Sequence, residues 1–318
     1  MIAVVVDQHG AHATTYGSSG VPGLALDSDT VMEIGSITKV MTALLLADMV
    51  ARGEAAFDDP VARYLPASVM LHERGRPITL LDLATYTSGL PNQPGNFRPP
   101  LSSYTVDRLY EFLSAYVPDH EPGDHYEYAN LGFGLLGVVL ARRASKSYEE
   151  LLVERVCDPL GLDRTRITLS DDMRRRLAQS HDREQKPTPL LDLPASLQGA
   201  GAVRSNVKNL TIFLKACMGL SRTPLSASFA RLLETRRRTS LAGTDVGLGW
   251  FVSTDSKDEI VWKSGVTGGF KTFIAYSTRS RRGALVLSNF LWTPIDDDLG
   301  IRLVNPDARP GDLNLLYR

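Results

Sequence analysis

Cysteine is nearly missing from this chain, with only Cys157 and Cys217 among 318 residues. They form no Cys-x-x-Cys or other paired pattern, which excludes a disulfide scaffold and a zinc ribbon. Two buried free thiols are expected, with a single disulfide as the alternative. An excess of one charge is missing too. Lys and Arg total 35 against 36 Asp and Glu, for a net charge of −1, so nothing electrostatic calls for a nucleic-acid partner. Three short basic runs, Arg174-Arg175-Arg176, Arg236-Arg237-Arg238 and the stretch from Arg279 to Arg282, read as solvated helix faces or turns. The longest apolar run, Leu131 to Ala141, is too short and too rich in glycine to cross a bilayer, and no membrane span is expected. No secretory leader precedes the strand-like opening Ile2 to Val6, so the chain reads as cytoplasmic or as one whose leader has been removed. His9 and His12, and His120 and His125, flank turns without zinc-site spacing. Neither a phosphate-loop signature nor a Gly-x-Ser-x-Gly elbow occurs. Neither a cofactor nor a metal is expected.

What is present is a chain long enough to bury a large core, with 43% hydrophobic and 22% charged residues. Residues 2–6 and 12–16 alternate around a turn and predict a hairpin. From about Ser36 an amphipathic helix is expected, with Ile37, Val40, Met41, Leu44, Leu45 and Val50 near helical spacing and Gly53 as its stop. Helical segments punctuated by proline and glycine follow to about Gly199, then a helix over 205–219 capped by Ser205. "VGLGWFVST", "EIVWKSG", "FKTFIAYST" and "GALVLSNF" read as strands, and Asp296 as the cap of a last helix. This order predicts an α+β fold in which the first and last segments share one antiparallel sheet flanked by helices. Residues 1–57 and 200–318 would form that discontinuous domain, and 58–199 an inserted, mainly helical lobe. The cleft between them is the expected ligand site.

Three short motifs carry chemistry. Ser36 and Lys39 lie one helical turn apart, so the amine can reach a hydroxyl that needs a base to become a nucleophile. The helix N-terminus favours a developing anion there. Alone this spacing means little, because Ser205 and Lys208 repeat it. Tyr128-Ala-Asn130 and Lys263-Ser264-Gly265 are the single Tyr-x-Asn and Lys-[Ser/Thr]-Gly in the chain, and only Ser36 precedes both. Gly265, Gly268 and Gly269 would let the strand edge and its turn approach a ligand closely, and that edge could pair with an extended substrate. Tyr126, beside Tyr128, reads as packing.

Together with "EIGSITKVMTALLLADMVARGE", "DDPVARYLP", "ITLLDLATYTSGLP" and "WKSGVTGGF", these motifs resemble the class C serine β-lactamases and their penicillin-binding DD-peptidase relatives. The likeness runs from about Val31 to Phe290. It implies Ser36 as the acylated nucleophile, Lys39 as its proton partner, and Tyr128 as general base and then acid to the leaving nitrogen. Asn130 would bind the acyl-side amide and Lys39. Lys263, Ser264 and Gly265 would hold the substrate, the first two by its carboxylate. The backbone N–H groups of Ser36 and Val266 would form the oxyanion hole. A tyrosine with pKa about 10 must fall roughly 3 units to be half-ionised near neutrality. Two flanking ammonium groups act in that direction, while their own repulsion makes a neutral Lys39 an equally lawful base. The implied substrate is a small molecule or a peptidoglycan-like chain, and the implied location is periplasmic or exported. An esterase using the same site and a slow penicillin-binding sensor are the rival readings.

Overall fold

The computed structural model describes residues 1–254, 258–291 and 295–307. β1 (Ile2–Asp7) buries Ile2, Val4 and Val6 on one face, the period-2 pattern that the sequence shows. It forms the expected hairpin with β2 (Gly10–Thr15), in register from Ile2 opposite Thr15 to Asp7 opposite Gly10. β3 (Val31–Glu33) and β4 (Arg204–Asn206) make a separate two-stranded ladder. β5 (Arg237–Arg238), β6 (Thr244–Val246), β7 (Phe251–Ser253), β8 (Ile260–Val266), β9 (Lys271–Ser277) and β10 (Gly283–Ser288) complete the main sheet. Its order is β2-β1-β10-β9-β8-β7-β6-β5, antiparallel throughout, so the chain's first strand pairs with its last as expected. β7 pairs with β8 only as far as Trp262, which leaves residues 263–266 without a strand neighbour on that side.

Among the described residues, five helices have ten residues or more: α1 (Thr38–Ala51), α2 (Val106–Ala115), α3 (Asn130–Ala144), α4 (Val207–Cys217) and α5 (Ile295–Val304). α1 departs from the amphipathic expectation, because every residue from Thr38 to Met49 is buried. Its off-stripe positions include the large apolar Leu46 and Met49 as well as small or hydrogen-bonded residues. The Thr42 hydroxyl lies within hydrogen-bond distance of Thr38 O, Gly199 O and the Tyr148 hydroxyl, and Ala43 and Ala47 leave room for neighbours. α3 reaches the short helix Gln198–Gly201 so closely that a Cβ on Gly137 would meet Gly199 Cα at 3.1 Å. One apolar core runs from Ile2 to Val304 and takes residues from the helices and the sheet alike.

Three boundaries differ from the sequence reading. Ser205 lies in β4 opposite Met32, with its hydroxyl bonded to that of Thr165, and Asn206 caps α4 instead by accepting from Asn209 N. The β3–β4 ladder draws Ser205 into extended backbone and moves the cap one residue on. Residues 247–250 interrupt the "VGLGWFVST" run between β6 and β7, and α5 already begins at Ile295, so Asp296 is inside its first turn. Both cysteines are free.

Candidate active site

Ser36 sits in a single 3-10 turn, Gly35–Ile37, at the mouth of α1, and this turn packs against Gly265 and Val266 of β8. The α-helix proper begins two residues later, and Lys39 occupies its first turn. Tyr128 lies in extended backbone two residues ahead of Asn130, the first residue of α3. Lys263 and Ser264 lie on β8. Segments more than two hundred residues apart in the chain thus meet at one point.

The contacts are direct. The Lys39 amine lies 2.8 Å from Ser36 Oγ, 2.7 Å from Asn130 Oδ1 and 2.7 Å from the Ala200 carbonyl oxygen. The Tyr128 hydroxyl lies 2.9 Å from Ser36 Oγ, and the Lys263 amine 3.5 Å from the Tyr128 oxygen. Both lysines are 0% exposed. Burial pushes the Lys39 amine well below the usual lysine range, and the charge of Lys263 pushes it further. Burial also brings Lys263 down to about 7, against an opposing pull from the Asp297 carboxylate. Aromatic rings face the Lys263 amine, with centroids at 4.6 Å for Phe251, 4.7 Å for Tyr128 and 5.8 Å for Tyr86.

Hydrogen-bond inventory gives this arrangement a chemical sense. A neutral amine has two N–H donors and one lone pair. Asn130 Oδ1 and Ala200 O are both acceptors and take the two donors of a neutral Lys39. Its lone pair then faces the Ser36 hydroxyl, so the proton can pass without any group moving.

Tyr86 escaped the sequence reading, although it lies within "TYTSGLP". It has a left-handed backbone, with φ of +58°, which is rare for a bulky side chain. Its buried ring stacks on Tyr128 at 4.8 Å and 24° and lies parallel to Phe251 at 6.1 Å. Nothing in a period or a motif announces such a residue, because its conformation comes from the packing around it. Tyr126 packs edge-on against Tyr86 and Phe251, as its sequence position suggests. Ser264 is buried opposite Phe273, and Val266 lines the cavity beside Ser36. His120 and His125 meet ring to ring at 4.7 Å, and no metal-holding cluster of His, Cys, Asp or Glu exists among the described residues. Nor is any described helix long and apolar enough to cross a membrane.

The glycines of the Lys-Ser-Gly turn require a correction. A Cβ on Gly265 would lie 2.0 Å from the Ile34 carbonyl and 2.6 Å from Thr272 Oγ1, and one on Gly269 would lie 2.3 Å from Thr188 Oγ1. These positions make room for the protein's own backbone and side chains. Gly268 meets nothing nearer than Pro189 O at 3.9 Å. Gly265→Ala is therefore expected to cost at least about 3 kcal/mol of stability, at the upper end for overpacking, because backbone must shift. Gly268→Ala should be near neutral. Urea unfolding of the two variants tests this, and equal midpoints would refute it.

The beta-lactamase family model matches residues 1–304 of this chain. The chain is 31% identical over 306 residues to the D-alanyl-D-alanine-carboxypeptidase/endopeptidase AmpH of Escherichia coli K12, covering 90% of this chain and 78% of that protein. It is 26% identical to a beta-lactamase of Pseudomonas fluorescens, covering 91% and 88%. Among solved structures, a beta-lactamase/D-alanine carboxypeptidase of Yersinia pestis superposes with a TM-score of 0.79 at 27% identity, covering 91% of this chain and 86% of that one. The Pseudomonas syringae protein of the same description shares the fold, with a TM-score of 0.82 at 23% identity over 97% and 94%. With that fold and nearly the whole of its length matched, the chain belongs to the beta-lactamase family of hydrolases.

Proposed function

We propose that the protein forms an acyl-enzyme on Ser36 with β-lactams or D-alanyl-D-alanine-type amides and releases it to water. One observation carries this reading: Ser36 Oγ lies within hydrogen-bond reach of both the buried Lys39 amine and the Tyr128 phenol. In the proposed sequence, Lys39 takes the hydroxyl proton, directly or through Tyr128, as Oγ attacks the carbonyl carbon. The oxyanion is held by the backbone N–H groups of Ser36 and Val266. As the C–N bond breaks, Tyr128 delivers a proton to the leaving nitrogen, and water then hydrolyses the ester. Asn130 binds the acyl-side amide, Lys263 and Ser264 bind the substrate carboxylate, and the open edge at 263–266 accepts the substrate backbone as an added strand.

An esterase reading has one observation in its favour, namely that no charged residue lines the cavity beside Ser36. The test is turnover of a chromogenic cephalosporin, a D-Ala-D-Ala peptide and a nitrophenyl ester by the native protein and by Ser36→Ala. Steady cephalosporin or peptide turnover supports the main reading and ester turnover alone the second. Unchanged rates in Ser36→Ala refute both.

A further inference from the structure

A cavity of about 330 Å³ opens beside Ser36, on the side of Asn130 and Ala200. Its apolar walls include Pro94, Phe97, Leu101, Leu191, Leu193 and Leu197, the amides of Asn92, Gln93 and Asn130 also line it, and no lining residue carries a charge. Lys263 and Ser264 are not among the lining residues, so the cavity is distinct from the groups proposed to hold the substrate carboxylate.

One wall is held rigidly from behind. Glu33 Oε1 accepts from the Leu191 backbone N–H at 2.7 Å, and Arg204 donates to Glu33, to the Leu191 carbonyl and to Asp192. Arg204 and Glu33 are both buried and neither lines the cavity, so the ion pair holds the 191–193 segment without placing a charge in its wall. The leucines therefore present a preformed apolar surface.

We infer that this cavity selects substrates whose acyl part is an uncharged apolar chain or ring, and that it discriminates against acyl groups ending in a charge. The inference rests on Ser36 as the acylated residue and adds the substrate class. At ~30 Å³ per water-sized group the cavity holds about eleven such groups, enough for a chain of six or more carbons. Burying each methylene is worth about 0.8 kcal/mol, a gain of roughly fourfold per carbon. A terminal ammonium or carboxylate in the same place would lose its hydration with no counter-ion to replace it.

The experiment measures kcat/KM for nitrophenyl esters from acetyl to decanoyl, with hexanoyl-length analogues ending in an ammonium or a carboxylate. A rise of roughly two- to fourfold per carbon from acetyl to hexanoyl is expected, with charged analogues at least about 100-fold below hexanoyl. Leu193→Asp, at a half-buried wall position, is expected to lower hexanoyl turnover and raise that of the ammonium-ended ester. A flat series, or charged analogues equal to hexanoyl, overturns the inference while Ser36-dependent acetyl turnover leaves the reading beneath it intact. If no ester is turned over while a cephalosporin still acylates Ser36, the inference is overturned and the reading beneath it stands. If intact-mass measurement finds no acyl group on Ser36 after ester, cephalosporin or peptide, both fail.

Discussion

Lys39→Arg is expected to be as inactive as Lys39→Ala, each lowering kcat/KM by about 10³-fold or more. A positioned base is worth roughly 10²–10⁴, and removing this one also strips Asn130 Oδ1 and the Ala200 carbonyl of their shared donor. Arginine separates two roles that alanine cannot. It keeps a positive charge beside Ser36 but does not deprotonate in proteins. If Lys39 acts as a neutral amine, as its burial and the nearby Lys263 favour, arginine fails. If it acts only as a fixed cation, arginine rescues. Stopped-flow acylation rates for the native protein and both variants decide the matter. An arginine variant within a few-fold of native would overturn the neutral-base assignment.

The second large effect concerns stability. Lys263 has its amine brought down to about 7 in the folded protein, against about 10.4 in an unfolded chain. Between those values the unfolded chain binds the extra proton, so this group's contribution to stability rises with pH across the window. The penalty is full below about pH 7 and gone above about pH 10.4. At about 1.4 kcal/mol per unit it amounts to at most about 4–5 kcal/mol near neutrality. Lys263→Met keeps an unbranched chain among the rings of Phe251, Tyr128 and Tyr86 and removes the buried amine. The variant is expected to be more stable than the native protein at pH 7 by up to that amount, with the gap closing towards pH 10. It should also lose turnover of carboxylate-bearing substrates, a trade of stability for function at one residue. Urea unfolding at pH 7, 8.5 and 10 measures it. A variant less stable than native at every pH would show that the amine is not a burden to the fold.

Much of the sheet was legible because strand chemistry is local. The alternation of Ile2, Val4 and Val6 survives as one buried face, and the four glycine-punctuated runs near the C-terminus each contain a strand. Boundaries were legible only where no distant partner intervened. Ser205 looked like a cap until β3 drew it into a ladder. α1 looked amphipathic because spacing registers where large apolar residues fall. It does not register that the residues between them, from Lys39 and Thr42 to Leu46 and Asp48, are also enclosed.

The candidate site divides along the same line. The sequence offered Ser36, Lys39, Tyr128, Asn130 and Lys263 as three short motifs in one order, and their resemblance to the class C serine β-lactamases implied the role of each. Tertiary structure decided what those groups are. It enclosed both amines away from water, gave Lys39 two carbonyl acceptors, one of them the backbone of Ala200, and set Tyr86 in a left-handed conformation behind Tyr128. It also filled the space at Gly265 with the Ile34 carbonyl and built an uncharged wall from leucines nearly a hundred residues apart. Which atoms are present is a property of the chain. The protonation of an amine and the shape of a cavity depend on solvent exclusion and on neighbours brought from afar, and only the folded protein supplies those.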